Sequence, residues 1–577
     1  MDTRRINAEE LDWKAIAWSA PFWQLLLAVE RVSCLHPLAI IARKRLDICF
    51  FPDIARAFVL SLQAIARFPD VCRAEAALAV SRAWVMPTSA GDRNMSRQDG
   101  GSTCPDDVTS SGVAPFLSVR TAFDLYLKAL GLPRGSLVVC SALTIPDMVS
   151  IFEEHGLVPL PVDLDPDTLA PEPGALEAEV ERCARADGGQ GAGRVRAIYI
   201  AHVFGAQVDM APVLQISKRH GLLVWEDCAQ VFTGRQGYLG HPGSDVVFFS
   251  FGVIKRATAF GGGVACVRDE AVLSAMLLAE AEYPTQSPTT YLRRVVKCSL
   301  LLLGSSPLLY GVIIHALRLM GIEHDKVVMN LSKGFPKTAL LKAIRHRPSI
   351  PLLKILAWRI ASYTPDGVEI RLRHCNRMLR LLDVATARHP QQGCNGPLEL
   401  PVRGVRELLP GTLAHRHTLW LYPVIVKGGA AMADTLVETL LREGFDATRA
   451  PTSLMPIERC TTKRTEHSGG ATPTSSSVTP RCSAMMDSLV YLPLCNNIPD
   501  SEWDRMGLVL AQALQSNGTV RSGDEAVVGS GSSKGQVRRR REVTQRLIGF
   551  ALRLDVIVVS AIFVVLLLLF ALVVSLF

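Results

Sequence analysis

Short apolar runs and amphipathic stretches alternate through the middle of this chain. "SLVVCSAL" reads as a strand, "PDMVSIFEEHG" as a helix stopped by Gly156, and "LVPLPVDL" as a strand again. Beyond a Gly-rich interruption near residues 188–193 the rhythm resumes. "VRAIYIAHVFG" is a strand, "DMAPVLQISKRHG" has apolar residues at helical spacing, and "LLVWED" and "DVVFFSF" are strands. Apolar runs of this length are strands buried on both faces, and the longer periodic segments between them are helices. The pattern predicts βαβ units around a mainly parallel sheet, an α/β fold. Ligands of such sheets bind at the carboxyl ends of strands, where Asp227 and Ser250 stand.

The flanks read differently. Residues 1–87 are helix-like, with patches such as "PDIARAFVLSLQAIARF", and 88–112 form a polar insertion rich in Gly, Ser and Asp. The large domain spans 113–290, and an apolar helical insertion covers 291–345. A smaller C-terminal α/β domain follows over 346–515, built from "HTLWLYPVIV", "AMADTLVETLLREG", "SLVYLPL" and "SEWDRMGLVLAQAL". Within it, the Ser/Thr-rich residues 460–483 are expected to be a disordered insertion. Residues 516–554 read as a linker and 555–577 as a transmembrane tail anchor. The run "VIVVSAIFVVLLLLFALVVSLF" carries no charge and is long enough for a bilayer-crossing helix. The arginines at 538–541 precede it, which places the rest of the chain on the cytosolic side. A second apolar run at 298–317 contains Gly304, Pro307 and His315. It is either an interfacial or re-entrant membrane segment or a buried helical hairpin.

Composition narrows the classes little further. The 577 residues are 49% hydrophobic and 20% charged, and a net charge of +8 over this length does not argue for nucleic acid. The 14 cysteines form no CxxC pair and no metal-ligand spacing, and the charged start of the chain lacks a secretory core. Reduced cytosolic thiols without a metal follow from this reading.

The chemistry concentrates in "VWEDCAQ", "FFSF" and the lysine of "GVIKRATAFGGG". Most lysines are solvated surface charges. A lysine between a buried strand and a glycine turn, with a carboxylate and a hydroxyl at neighbouring strand ends, is instead what pyridoxal phosphate requires. That cofactor needs an amine to hold it, an acid for its ring nitrogen, and hydroxyl and N–H donors for its phosphate.

From about Ser118 to Leu514 the chain resembles the pyridoxal-phosphate sugar aminotransferases of the DegT/DnrJ/StrS family, in the aspartate aminotransferase superfamily of fold type I. The resemblance rests on "LYLKALGLPRGSLVVCSALT", "GLVPLPVDLDPDTLAPEP", "AHVFGAQVDMAPVLQISKRHGLLVWEDCAQ", "GSDVVFFSFGVIKRATAFGGGVACV" and "VYLPLCNNIPDSEWDRM". It implies that Lys255 holds the cofactor and moves protons, and that Asp227 partners the ring nitrogen. Gln230 would then lie near the ring hydroxyl and Ser250 at the phosphate. It further implies amino transfer from a donor such as glutamate to a keto sugar, expected in nucleotide-linked form, by a homodimer.

Three positions depart from the family pattern. Val119-Arg120 replaces a glycine-containing phosphate turn, with Arg120 as the substitute cation. Ile145 stands where an aromatic ring stacks on the cofactor, and Arg345 falls near the asparagine lent to the partner's phosphate. Two other readings stay open: different chemistry of the same fold on a lipid-linked or acyl substrate, and a scaffold that has lost catalysis.

Overall fold

The structure is a computed structural model. It describes residues 39–41, 50–66, 72–85, 112–186, 193–325, 327, 335, 339–386, 409–426, 428–449, 453–457, 478–494 and 498–516. The basic stretch and the apolar run expected as a tail anchor lie outside these residues, as does most of each polar insertion.

Two N-terminal helices, α1 (Phe50–Ile65) and α2 (Arg73–Val85), precede the first strand. The strands are β1 (Val113–Phe116), β2 (Leu137–Ser141), β3 (Leu143–Thr144), β4 (Val158–Val162), β5 (Val195–Ala201), β6 (Ala206–Gln207), β7 (Leu223–Asp227), β8 (Val246–Ser250) and β9 (Gly263–Val267). Seven of them form one sheet in the order β1-β9-β8-β7-β5-β2-β4. Only β9 runs against its neighbours, so the sheet is mainly parallel as the pattern predicts.

Helices α3 (Val119–Leu130), α4 (Pro146–Glu154), α5 (Pro173–Ala186) and α6 (Ala211–His220) connect these strands. Local chemistry sets their ends. Ser118 is extended at φ −165° and its Oγ accepts the Thr121 N–H, and α3 stops at Gly131, whose φ of 56° suits a residue without Cβ. Successive strand residues point to opposite faces. Phe248 therefore joins an aromatic cluster with Phe123, Phe152, Tyr199 and Trp225, while Phe249 packs beneath α1 and α2. Centroid separations of 5.1–6.4 Å and mostly edge-on rings give that cluster attraction beyond its buried area.

After β9 come α7 (Glu270–Ala281), α8 (Pro288–Gly304), α9 (Pro307–Leu319), α10 (Ile350–Ser362) and α11 (Asp366–Thr386). The apolar run at 298–317 is thus the second half of α8 and most of α9, bent by 92° at the Ser305-Ser306 break. Each helix buries one stripe: Tyr291, Val295, Cys298 and Leu302 on α8, and Pro307, Tyr310, Gly311 and Ile314 on α9. Among the described residues no single helix is long and apolar enough to cross a membrane; the bent pair passes only jointly.

The last segments are β10 (Arg416–His417), β11 (Tyr422–Ile425), α12 (Gly429–Arg442), β12 (Met455–Pro456), α13 (Pro480–Ser488), β13 (Leu489–Leu492) and α14 (Asp500–Ser516). The stretch read as one strand from "HTLWLYPVIV" is two, broken at Leu419 with φ 48°. The insertion expected to end at Ser483 ends sooner, because Pro480–Ser488 is a helix. β11 pairs with β13 over a core shared by α11, α12 and α14. Two short ladders, β10 with β6 and β12 with β3, tie this layer to the segments that follow β5 and β2 of the large sheet. The described residues up to Gln515 make one compact unit.

Candidate active site

A recess opens at the carboxyl ends of β7 and β8. Ala229, Gln230, Phe232, Thr233, Ser250, Lys255, Arg256, Ala257, Arg371, Thr418 and Trp420 line it. Asp227 closes β7 with its carboxylate fixed twice: Tyr199 O–H donates to Oδ2 at 2.8 Å and the Ala229 N–H to Oδ1 at 2.9 Å. Tyr199 lies on the adjacent β5, so strand pairing itself sets this geometry. Gln230 accepts the Phe204 N–H at 2.7 Å. Beside Asp227, fully buried Glu226 accepts from Tyr238 O–H at 2.7 Å, from the His241 N–H at 2.9 Å and from Ser244. His202 Nε2 lies 3.1 Å from the same carboxylate, and its Nδ1 accepts the Val208 N–H. These donors saturate Glu226, so the grouping of His202, Glu226 and Cys228 is a hydrogen-bond network that orients the Asp227 turn.

The loop that carries Lys255 is clamped from three sides. Arg359 Nε donates to Thr258 O at 2.9 Å and pairs with Asp53 at 2.7 Å, joining α10 and α1 to the loop. Tyr291 O–H donates to Ala259 O at 3.0 Å. Arg256 reaches Trp420 O and Leu494 O, both at 3.3 Å. The Trp420 indole returns a hydrogen bond to Ile254 O and sits over Lys255, its ring centroid 4.3 Å from Nζ. Phe204, Phe260 and Leu419 adopt positive φ around this site. Such strain persists where surrounding packing over-determines the backbone.

Lys255 keeps part of its surface open to the recess, while protein crowds its amine on the other sides. Desolvation dominates and lowers its pKa to about 8; Asp227 opposes the shift and Arg120 reinforces it. Protein thus favours the neutral, nucleophilic amine.

The structure brings Lys255, Ser250 and Gln230 together in the recess, with Asp227 near enough to act on the lysine. Arg120 and Ile145 are not among the lining residues. Arg120 occupies the first turn of α3 and donates to Asp147 in the first turn of α4 at 2.6 Å. Ile145 precedes α4 as its extended N-cap residue and packs on the aromatic cluster. Arg345, expected near a partner's phosphate, is engaged within its own chain. It forks onto buried Asp124 at 2.9 and 3.0 Å and reaches Glu154 at 3.2 Å. Sequence reasoning missed Tyr199, Arg256, Arg371, Thr418 and Trp420. Arg256 adjoins the lysine and carried a local signal; the other four arrive from distant segments.

The donor set suits an anionic aromatic cofactor. Lys255, Arg256 and Arg371 line the recess and no carboxylate does. Arg256 and Arg371 are buried, and Arg256 Nε has no hydrogen-bond partner among the described residues. Buried cations need a compensating anion. With the hydroxyls of Ser250 and Thr233, Arg256 fits a phosphate, while Asp227 fits a protonated ring nitrogen and Lys255 an aldehyde.

Residues 113–283 match the model of the DegT/DnrJ/EryC1/StrS aminotransferase family. The chain carries a domain of that family. The chain is 32% identical over 155 residues to the spore coat polysaccharide biosynthesis protein SpsC of Bacillus subtilis (strain 168), covering 26% of this chain and 37% of that protein. It is 29% identical over 192 residues to the L-glutamine:scyllo-inosose aminotransferase of Streptomyces griseus (33% and 42% covered). It is 32% identical over 163 residues to the GDP-perosamine synthase of Caulobacter vibrioides (27% and 40%). The chain spans about two fifths of the length of these curated relatives. Similarity of fold extends further. A putative sugar aminotransferase from Streptococcus pneumoniae in its PLP form superposes with TM-score 0.52 at 15% identity, covering 83% of this chain and 99% of that one. The Helicobacter pylori aminotransferase involved in the biosynthesis of pseudoaminic acid gives 0.52 at 12% identity, covering 83% and 100%.

Proposed function

We propose that this member of the family is a pyridoxal-phosphate-dependent aminotransferase that moves an amino group from glutamate or glutamine to a keto sugar. The observation that carries the reading is the meeting of Lys255, Ser250 and Gln230 in one cation-lined recess, with Asp227 close enough to act on the lysine, inside the family domain. When bound, pyridoxal phosphate supplies an aldehyde carbon and a ring that draws electrons from the carbon bearing the amino group. Lys255 would hold the cofactor through Nζ and then take up and return a proton at that atom, a task suited to an amine with pKa of about 8. Asp227, held by Tyr199 and Ala229, would keep the ring nitrogen protonated. Ser250, Thr233 and Arg256 would hold the phosphate. Phe232 and Trp420 line the recess and would limit the access of water to it.

A nucleotide-linked sugar is the acceptor we favour, because a GDP-perosamine synthase is among the relatives. A glutamine donor finds support in the naming of the Streptomyces griseus relative. We further infer a homodimer, as the family resemblance implies, anchored through residues 556–577 with its catalytic part facing the cytosol; the uncharged apolar run and the arginines before it support the anchor and its orientation.

The test is absorbance of the purified protein with added pyridoxal phosphate. The reading requires a visible band that glutamate or glutamine bleaches, and borohydride trapping of the cofactor on the Lys255 peptide. Trapping on another lysine, or no band at saturating cofactor, refutes it.

A further inference from the structure

The corner where α8 meets α9 has no part in the recess, yet its chemistry is unusual. Residues 283–322 contain no aspartate or glutamate, although these make up 54 of the 577 residues. At that frequency about four are expected in forty positions. Cations remain at Arg293, Lys297 and Arg318, while Arg294 turns inward over the Phe335 ring at 5.8 Å. α8 and α9 each bury one apolar stripe, so an ordinary surface helix would carry polar residues on the other side. Here much of the other side is apolar too, with Arg293, His315 and Arg318 exposed among it. On α9, Val312, Ile313 and Leu319 are exposed, Leu319 to 90%, and Met320 and Ile322 follow. On α8 the stripe 293, 296, 297, 300, 303 shares one face. It passes from Arg293 and Lys297 at one end to Leu300 and Leu303 at the other. Helix α1 packs along α8 and leaves Phe58, Leu62 and Ile65 exposed at i, i+4 and i+7.

We propose that the α8–α9 corner, with the outer stripe of α1, lies against an anionic lipid bilayer, its leucines at the acyl boundary and its cations among the headgroups. Neither helix can span: each is short, and the pair bends by 92°. Helices with a fully apolar outer stripe and flanking lysine and arginine lie in the interface. The stretch itself brings no acid to anionic lipid, and the one acid recorded against it, Glu438 of α12, pairs with Arg318 at 3.9 Å. The bilayer is favoured over a protein partner because the same chain carries the apolar run at 556–577, which is long enough for a bilayer. This inference does not depend on the proposed reaction.

The experiment uses the full chain on vesicles of phosphatidylcholine and phosphatidylserine loaded with an apolar photoactivatable carbene precursor. Adducts are mapped by mass spectrometry. We expect adducts on peptides covering 300–320 and 58–65, several-fold above those on Leu277 and Leu278. These two leucines are 43% and 73% exposed, within the range of the corner residues, but lie on α7. Omitting phosphatidylserine should reduce the labelling of the corner. Adducts confined to 556–577, or equal on α7, overturn the proposal. So does a dimer in lipid-free solution that Ile313→Asp converts to monomer while the wild-type corner stays unlabelled on vesicles. The labelling contrast needs no variant, so a failure of Ile313→Asp to fold leaves the test intact.

Discussion

The lowered pKa of Lys255 makes a prediction whose sign differs between two neighbours. With a pKa of about 8 against an ordinary value of 10.5, about one amine in ten is neutral at pH 7, compared with about three in ten thousand. Pulse acylation of the cofactor-free protein, quantified on the Lys255 peptide, should therefore run about 300-fold faster at pH 7 than for an ordinary lysine of equal access. Its rate should reach half-maximum near pH 8. Asp227 raises this pKa and Arg120 lowers it, so Asp227→Asn should move the midpoint below 8 and Arg120→Ala above it. A wild-type midpoint near 10.5 would refute the desolvation argument, and shifts of both variants in one direction would refute the assignment of the two charges. The linkage to stability has the matching sign. Because the folded pKa lies below the unfolded one, the unfolded chain takes up the proton first. Stability falls as pH drops from about 10.5 to about 8 and levels below that.

Three further outcomes follow from the geometry. Gly205 has φ 94°, and a Cβ there would meet Trp420 N at 2.5 Å and Thr418 Oγ1 at 2.7 Å; Gly205→Ala should cost about 1–3 kcal/mol in a urea titration and quench less of the Trp420 fluorescence signal on cofactor binding. The fork of Arg345, with the hydrogen bond from His155, holds the Asp124 carboxyl down to about 2 against burial that would raise it. Its stabilisation is present above the unfolded carboxyl pKa and is lost as pH falls toward 2, so Arg345→Ala should cost about 1–3 kcal/mol at pH 7 and flatten the acid limb of the stability curve. Tyr199→Phe removes one of two donors to Asp227 and should weaken cofactor affinity by about 1 kcal/mol in a fluorescence titration, with the fold unchanged by circular dichroism.

How far the sequence carried the reading depends on distance along the chain. Asp227, Gln230, Ser250 and Lys255 fall within one short stretch at consecutive strand ends, so the alternation that predicts β7 and β8 also brings them together. The mainly parallel sheet was legible for the same reason: burial on both faces leaves continuous apolar runs. Arg371, Thr418 and Trp420 carry no local signal. They reach the recess because the small layer folds back through β6–β10 and because the backbone turns at Leu419, whose N–H is satisfied by His417 Nδ1 at 3.0 Å. Arg345 shows the converse. By its place in the sequence it suited a partner's phosphate, but Asp124, 221 positions away, captures it once α3 packs beside the Leu340–Ile344 helix. Periodicity reports which face of an element is buried. Which distant cation meets which anion is decided only when the elements pack, because a buried carboxylate such as Asp124 takes whatever donors packing brings within hydrogen-bond reach.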